Sequence, residues 1–296
     1  MPSFVPAWFL PTLLSAFSLG FYDIAKKHAV NRNSVMPVLF FATLSGSALY
    51  VAVLAGCGRL SGAVVCTMTQ FLLVLLKSLL VSSSWICVYY AMRDLPISLA
   101  SPIRASSPLW TVIGGIILFG ELPSGYQLLG MAAIFAGYWL FAGLGKQEGF
   151  PPLSRSVILI LAGTLLGAGS ALYDKYLLNV CRVPREMLQF YFSVDLVIVL
   201  GAAYGIRRFV FKHGIPFEWR WSIPLTGILL IAADYLYFYA VSLPEIRISI
   251  LSLVRRCSCV ITFIFGVWYF HDLNIRRKFC ALVLILLGVA ILALAD

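Results

Sequence analysis

The chain has 296 residues, of which 61% are hydrophobic and only 11% are charged. Soluble domains carry about 25% charged residues, so this composition excludes water-soluble, disordered and disulfide-rich classes and indicates a membrane protein. The net charge of +10 does not indicate nucleic-acid binding, because most basic residues fall in short loops, where anionic lipid headgroups account for them first.

Apolar runs separated by glycine, proline and charged residues predict ten transmembrane helices, since about 20 apolar residues cross a bilayer. In chain order the runs cover residues 7–27, 36–56, 68–92, 97–119, 124–144, 156–178, 187–206, 222–241, 248–270 and 279–295. The first run lacks the basic segment that precedes a signal peptide, so we interpret it as the first helix. The predicted fold is an all-α membrane protein without room for a soluble domain.

The two halves of the chain resemble each other. When Tyr22-Asp23 is placed on Tyr173-Asp174, Arg104 falls on Arg255, and serine, threonine and glycine positions of the fourth helices align as well. Each half holds five helices, an odd number, so the second half enters the membrane from the opposite side. We therefore predict two inverted five-helix repeats, residues 1–148 and 149–296, whose matching positions face each other across a central cavity.

Short motifs recur at the entry and the end of the fourth helix of each half, and glycines recur in the fifth helices. They are Leu95-Pro96, Leu243-Pro244, Gly115, Phe119-Gly120-Glu121-Leu122, Gly266, Phe270-His271-Asp272-Leu273, Gly130, Gly137 and Gly288. In their order and repetition they resemble the EamA-type branch of the drug/metabolite transporter superfamily. The chain departs from that pattern at Ser18-Leu19-Gly20, where many members have a Trp-Gly pair. The resemblance implies a ten-helix transporter, which we expect in a bacterial plasma (inner) membrane.

Charged residues inside the predicted helices are the most informative positions, because a charge at mid-bilayer costs roughly 2.5–3.5 kcal/mol and should face the bundle or water. They are Lys77, Arg104, Lys175, Arg255, Arg256, Asp23, Asp174, Asp195 and Asp234. Arginine stays charged in proteins and binds a carboxylate or phosphate through two parallel hydrogen bonds.

The arginines Arg104, Arg255 and Arg256 therefore predict a cationic site for an anionic group of a substrate. The alternative is that Asp195 or Asp234 neutralises them in a buried ion-pair network. The resemblance favours the first interpretation, because sugar-phosphate/phosphate translocators of the same superfamily bind phosphate with a basic residue on helix four and a dibasic pair on helix nine. We extend that analogy to the charge of the site and not to a particular sugar phosphate.

Other polar residues of the predicted helices have two interpretations. Asp195 and Asp234 are candidates either for carrying a coupling proton or for serving as permanent counter-ions, and Lys77 is a candidate partner for one of them. Tyr235 and Tyr239 are one helical turn apart and are candidates for lining the cavity with hydroxyl groups.

The matched Tyr-Asp pairs are gate candidates. They comprise Tyr22 and Asp23 in the first half and Tyr173 and Asp174 in the second. The simpler interpretation is an interfacial ion pair, because Asp23 and Lys27 are at positions i and i+4 of one helix.

The sequence favours transport over catalysis. It has no P-loop, no His-Glu-x-x-His motif and no nucleophile elbow, so we expect no cofactor and no metal. We predict a secondary transporter, an exporter or exchanger that moves a small anionic or zwitterionic metabolite by alternating access, coupled to a proton or a counter-substrate. The alternatives are a lipid-carrier flippase and an intramembrane enzyme acting on lipid phosphates, for which a nucleophile or metal base near the arginines is missing.

Two indications of membrane orientation disagree. The loops opposite the termini hold most of the basic loop residues, and the positive-inside rule therefore places both termini outside the cytoplasm. The family resemblance implies cytoplasmic termini instead.

Overall fold

The computed structural model describes residues 7–104, 107–120, 122–147, 154–210, 216–243, 251, 254–255, 257–268 and 275–294. Within these ranges the regular structure is entirely helical, as predicted. In chain order the helices are α1 (Phe9–Val30), α2 (Val35–Gly56), α3 (Leu60–Val64), α4 (Met68–Asp94), α5 (Ile97–Arg104), α6 (Ser107–Phe119), α7 (Gly125–Gln147), α8 (Arg155–Lys175), α9 (Arg185–Val210), α10 (Ser222–Val241), α11 (Ser258–Trp268) and α12 (Ile275–Leu294). A π-helical turn, Tyr176–Val180, continues α8.

Five of the described helices are long and apolar enough to cross a membrane, judged by length and composition. They are Val35–Gly56, Met68–Asp94, Arg155–Val180, Arg185–Phe209 and Ser222–Val241. Helix α1 is apolar over most of its length, but Asp23, Lys26 and Lys27 lie in its last three turns and lower its mean hydropathy. These charged residues do not end the helix, which continues to Val30.

Helix α4 shows how the fold distributes polar and apolar side chains. Its exposed face carries Leu72, Leu76 and Leu79, whereas Lys77 and Ser78 are buried on the opposite face. A helix of a soluble protein has the reverse arrangement. An apolar outer face with a polar inner face suits a bundle that is surrounded by lipid and has a polar interior.

The helices pack in pairs that join the two halves of the chain. Helix α1 lies along α10, α4 lies along α8, and α7 lies along α12. Two of these pairs are tied by serine hydroxyls: Ser15 Oγ donates to the Ala233 carbonyl at 2.8 Å, and Ser84 Oγ donates to the Gly163 carbonyl at 2.6 Å. Hydrogen bonds of this kind hold helices together where the surroundings are as apolar as the side chains.

Glycines allow two helix contacts, α2 with α10 and α8 with α4, to be very close. A Cβ atom added to Gly46 of α2 would lie 2.5 Å from the carbonyl oxygen of Gly227 in α10. A Cβ atom on Gly163 of α8 would lie 2.9 Å from the Ser84 carbonyl oxygen of α4. Small residues at such crossings let two backbones approach and gain dispersion contacts.

Candidate functional site

A cavity of about 160 Å³ lies among α1, α4, α5, α8 and α10. Charged side chains from both halves of the chain line it: Lys26, Lys77, Arg104, Asp174, Asp234 and Arg255. Aromatic side chains form much of the remaining wall: Tyr22, Trp85, Phe192, Tyr237 and Phe238. The cavity therefore combines fixed charges with flat apolar surfaces.

The first cluster of charges joins α1 to α5. Asp23 Oδ1 accepts hydrogen bonds from Lys26 Nζ at 2.6 Å and from Arg104 Nη1 at 2.7 Å. Lys26 is one turn after Asp23 on α1, and Arg104 is the last residue of α5. The counter-ion of Arg104 is thus Asp23, and not Asp195 or Asp234 as the sequence suggested.

Lys27 has a different role from the one its spacing suggested. Asp23 pairs with Lys26, at position i+3, whereas the ammonium group of Lys27 donates to the carbonyl oxygens of Met92 at 2.8 Å and Leu95 at 2.7 Å. These carbonyls lie at the C-terminal end of α4, which a cation stabilises. The interfacial Asp23–Lys27 pair is replaced by an attachment of α1 to the end of α4.

The second cluster joins α4 to α8. Lys77 Nζ forms an ion pair with Asp174 Oδ1 and lies 3.4 Å from Ser170 Oγ, to which it donates a hydrogen bond. The same ammonium lies 4.3 Å from the ring centroid of Phe192. Both charged side chains are almost fully buried, at 2% and 5% exposure. The sequence suggested Asp195 or Asp234 as the partner of Lys77, but the structure selects Asp174.

Arg255 is held more loosely than Arg104. Its Nη2 donates to Asp234 Oδ1 at 3.4 Å, which is longer than an ordinary N–H···O hydrogen bond. The guanidinium carbon lies 4.0 Å from the ring centroid of Tyr237. Among the described residues, the buried Arg255 Nε has no hydrogen-bond partner, and the Tyr237 hydroxyl is paired with the Asp174 carboxylate.

Tyr235 and Tyr239 do not line this cavity. Each is 39% exposed, and their rings lie 5.7 and 5.0 Å from the guanidinium of Arg185. The cavity wall is formed by Tyr237, because positions two apart on a helix point in nearly opposite directions. The one-turn spacing of Tyr235 and Tyr239 was a correct indication of a shared face, but that face is not the one lining the cavity.

The gate candidates separate in space. Tyr22 lines the cavity, and its hydroxyl lies 3.5 Å from the hydroxyl of Tyr89. Tyr173, its counterpart in the second half, donates to the Leu73 carbonyl at 3.2 Å and is not part of the cavity wall. Of the four gate candidates, Tyr22 and Asp174 therefore line the cavity, and Asp23 belongs to the first charged cluster.

The remaining candidates lie elsewhere. Asp195 is buried at 3% exposure beside Ser78 of α4 and does not line the cavity. Arg256 lies outside the described residues. Within the ranges that the structure describes, no group of three or more histidine, cysteine, aspartate or glutamate side chains is placed to hold a metal ion.

Sequence analysis missed several residues of the site, and for two of them, Lys26 and Tyr237, a signal was available. Lys26 is one helical turn beyond Tyr22 and Asp23, so it shares their face of α1. Tyr237 stands at the same distance before Leu243 as Tyr89 stands before Leu95, so the repeated Leu-Pro motif pairs the two tyrosines.

Comparisons with known proteins agree with this fold. Residues 7–143 match the EamA-like transporter family, which confirms the resemblance inferred from the sequence. One solved structure, described only as the crystal structure of a protein, aligns with a TM-score of 0.69 and 17% sequence identity. The alignment covers 98% of this chain and 97% of that chain, so the two share their fold over nearly their whole lengths. No curated protein sequence matches the chain.

Proposed function

Residues 7–143 match the EamA-like transporter family, and on this premise we propose that the chain is a secondary transporter of the drug/metabolite transporter superfamily. It moves a small anionic or zwitterionic metabolite by alternating access, as an exporter or exchanger coupled to a proton or a counter-substrate. The membrane that we assign to it is a bacterial plasma membrane.

The observation that carries this proposal is the meeting of Arg104 and Arg255 at one cavity. The two arginines occupy matching positions of the two halves, and both reach the cavity from different helices. A charged side chain inside a membrane helix is costly and marks a substrate or ion pathway by default. An anionic group bound there gains charge-assisted hydrogen bonds, which are roughly twice as strong as neutral ones.

The pairing of helices supports two inverted repeats, residues 1–148 and 149–296. We count α5 and α6 together as the fourth helix and leave out the short helix α3. If each helix is replaced by its counterpart in the other half, the contact of α1 with α10 becomes the contact of α8 with α4. The contact of α7 with α12 is unchanged, because these two helices are counterparts of each other.

Backbone conformation gives a second indication of the repeat. Arg32 and Arg182 follow the first helix of each half, and both have left-handed backbone angles, with φ of 53° and 51°. Residues other than glycine seldom adopt this conformation. Its recurrence at matching turns is therefore unlikely to be produced by composition, and it favours a common origin for the two halves.

The ion pairs suggest how alternating access operates. In inverted repeats the two halves exchange conformations when the cavity changes the side to which it opens. Asp23 holds Arg104 in the present arrangement, while Asp174 holds Lys77 instead of Arg255. In the opposite state we expect Arg104 to leave Asp23 and Arg255 to approach Asp174.

The test is uptake by purified protein in liposomes, using labelled metabolite anions with and without a pH gradient or an internal counter-substrate. Arg104→Ala and Arg255→Ala should abolish uptake. Arg59→Ala, which removes a side chain 62% exposed at the surface, should retain it. Uptake no greater than in protein-free liposomes for every anion and zwitterion would overturn the proposal, as would normal uptake by a folded Arg255→Ala variant.

A further inference from the structure

We propose that Arg255 and Tyr237 form the anchor for one carboxylate group, and that the ligand is a small organic monocarboxylate of about six non-hydrogen atoms. The inference rests on the proposed transport function and adds the substrate class to it. It also assigns unequal roles to the two matching arginines, because Arg104 is a positioning residue that holds α5 against α1.

The two arginines differ in how fully their donors are used. Arg104 donates at 2.7 Å to Asp23, a carboxylate that Lys26 also contacts. Among the described residues, Arg255 makes one hydrogen bond, a long contact of 3.4 Å to Asp234. A ligand carboxylate would have to displace a short ion pair at Arg104, whereas it would meet available donors at Arg255.

Unused donors at the second arginine indicate the shape of the missing acceptor. Arg255 Nε is buried and has no hydrogen-bond partner among the described residues, whereas the Tyr237 hydroxyl has the Asp174 carboxylate as its partner. A buried donor without a partner is unfavourable, so this Nε–H indicates a ligand that supplies an acceptor. The Nε edge of a guanidinium fits the two oxygens of a planar carboxylate, and the Tyr237 ring beneath it, at 4.0 Å, fixes the plane of the guanidinium.

The charge balance of the cavity favours a single negative charge on the ligand. Counting the described residues, the cations of the site are Lys26, Lys77, Arg104 and Arg255, and the carboxylates are Asp23, Asp174 and Asp234. One positive charge is therefore left over when all are ionised. A monoanion neutralises it, whereas a dianion would bring an unbalanced charge into a region where desolvation is costly.

The volume and the walls set the size and polarity of the rest of the ligand. The cavity holds about 160 Å³, close to the roughly 150 Å³ of an engineered cavity that binds benzene. Trp85, Phe192 and Phe238 offer apolar surface to the part of the ligand beyond the carboxylate. These features fit a short carbon chain or small ring bearing one carboxylate.

The experiment measures the melting temperature of the purified full-length chain in detergent with lactate, its uncharged analogue lactamide, malonate and inorganic phosphate. Lactate should raise the melting temperature in a concentration-dependent way, because a ligand that binds only the folded state stabilises it. Lactamide, malonate and phosphate should each have a smaller effect at equal concentration.

Variants then locate the site. Arg255→Lys keeps the charge but loses the Nε edge, and it should weaken lactate binding about tenfold or more. Tyr237→Leu removes the ring that fixes the plane of the Arg255 guanidinium, and it should weaken binding about threefold to tenfold. Tyr126→Leu, at a side chain 75% exposed, is the matched control and should bind as the parent does. Each variant is first compared with the parent without ligand, so that misfolded protein is recognised.

Two results would overturn the inference: lactate affinity that is unchanged in a folded Arg255→Lys variant, or stronger binding of malonate or phosphate than of lactate. Lactate uptake into liposomes separates this failure from failure of the transport function. Arg255-dependent binding without any uptake supports the carboxylate site and contradicts transport. Uptake of a different solute class without lactate binding supports transport and overturns the inference.

Discussion

Arg104 Nη1 lies 2.7 Å from Asp23 Oδ1, and the same oxygen accepts a hydrogen bond from Lys26 Nζ at 2.6 Å. One carboxylate is therefore shared by two cations, the fully buried Lys26 and the partly buried Arg104, and joins the end of α5 to α1. Removing the carboxylate and removing one of the cations should have different consequences for stability.

We expect Asp23→Asn to destabilise the protein by about 3–5 kcal/mol, because it leaves two cations without their carboxylate. Arg104→Ala should cost less, since Asp23 keeps Lys26. The measurement is the free energy of unfolding in mixed detergent. Asp94→Asn, which alters the exposed Arg93–Asp94 pair, is the control and should change stability by about 0–1 kcal/mol. A larger loss for Arg104→Ala than for Asp23→Asn would contradict the shared-carboxylate arrangement.

The second prediction is that Lys77 and Asp174 stabilise the folded protein as a pair, which a double-mutant cycle can test. Lys77→Met leaves a buried carboxylate unpaired, and Asp174→Asn leaves a buried ammonium unpaired. The double variant removes both charges, so its loss of stability should be smaller than the sum of the single losses by about 1–3 kcal/mol. Additive losses would mean that the two side chains do not interact in the folded protein.

Close packing of α8 against α4 gives a matched pair of glycine substitutions on one helix. A Cβ atom on Gly163 would lie 2.6 Å from a methyl group of Val88 and 2.9 Å from the Ser84 carbonyl oxygen. We expect Gly163→Ala to lower stability by about 1–3 kcal/mol through overpacking. A Cβ atom on Gly169 would have no atom within 4 Å, so Gly169→Ala should raise stability by up to about 1 kcal/mol. Equal melting temperatures for the two variants would contradict the packing described here.

The loop charges predict the orientation of the chain. By the positive-inside rule we expect both termini outside the cytoplasm. Fusing green fluorescent protein and alkaline phosphatase separately to the C-terminus tests this, because the first fluoresces only in the cytoplasm and the second is active only outside it. A fluorescent C-terminal fusion would show that the loop charges do not determine the topology.

The positions of the helices could be predicted from the sequence because apolar runs and their boundaries are local properties. The run predicted at 68–92 corresponds to the helix Met68–Asp94, and the run predicted at 222–241 corresponds to the helix Ser222–Val241. The first helix was less well placed, since the predicted run ends at residue 27 whereas α1 continues to Val30, and Lys26 was left out of the charged residues inside the helices although it pairs with Asp23 within the bundle.

Ion-pair partners could not be predicted, because they depend on which helices become neighbours. Lys77 had several carboxylates available in the sequence, and only the packing of α4 on α8 selects Asp174. That Tyr237 lines the cavity, and not Tyr235 or Tyr239, likewise depends on how the helices pack. Helical spacing groups residues on a face, but the rotation of α10 against α1 decides which face meets the cavity.

The sequence separation of these partners has a consequence for synthesis of the protein. Lys26 finds Asp23 one turn away as soon as α1 forms. Lys77 emerges roughly 100 residues before Asp174, and ribosomes add about 5–20 residues per second. For about 5–20 seconds, then, α4 is a nascent segment with an unpaired cation. Its remaining apolar length must offset a cost of roughly 2.5–3.5 kcal/mol at insertion, so the late arrival of α8 makes the first half dependent on the second during biogenesis.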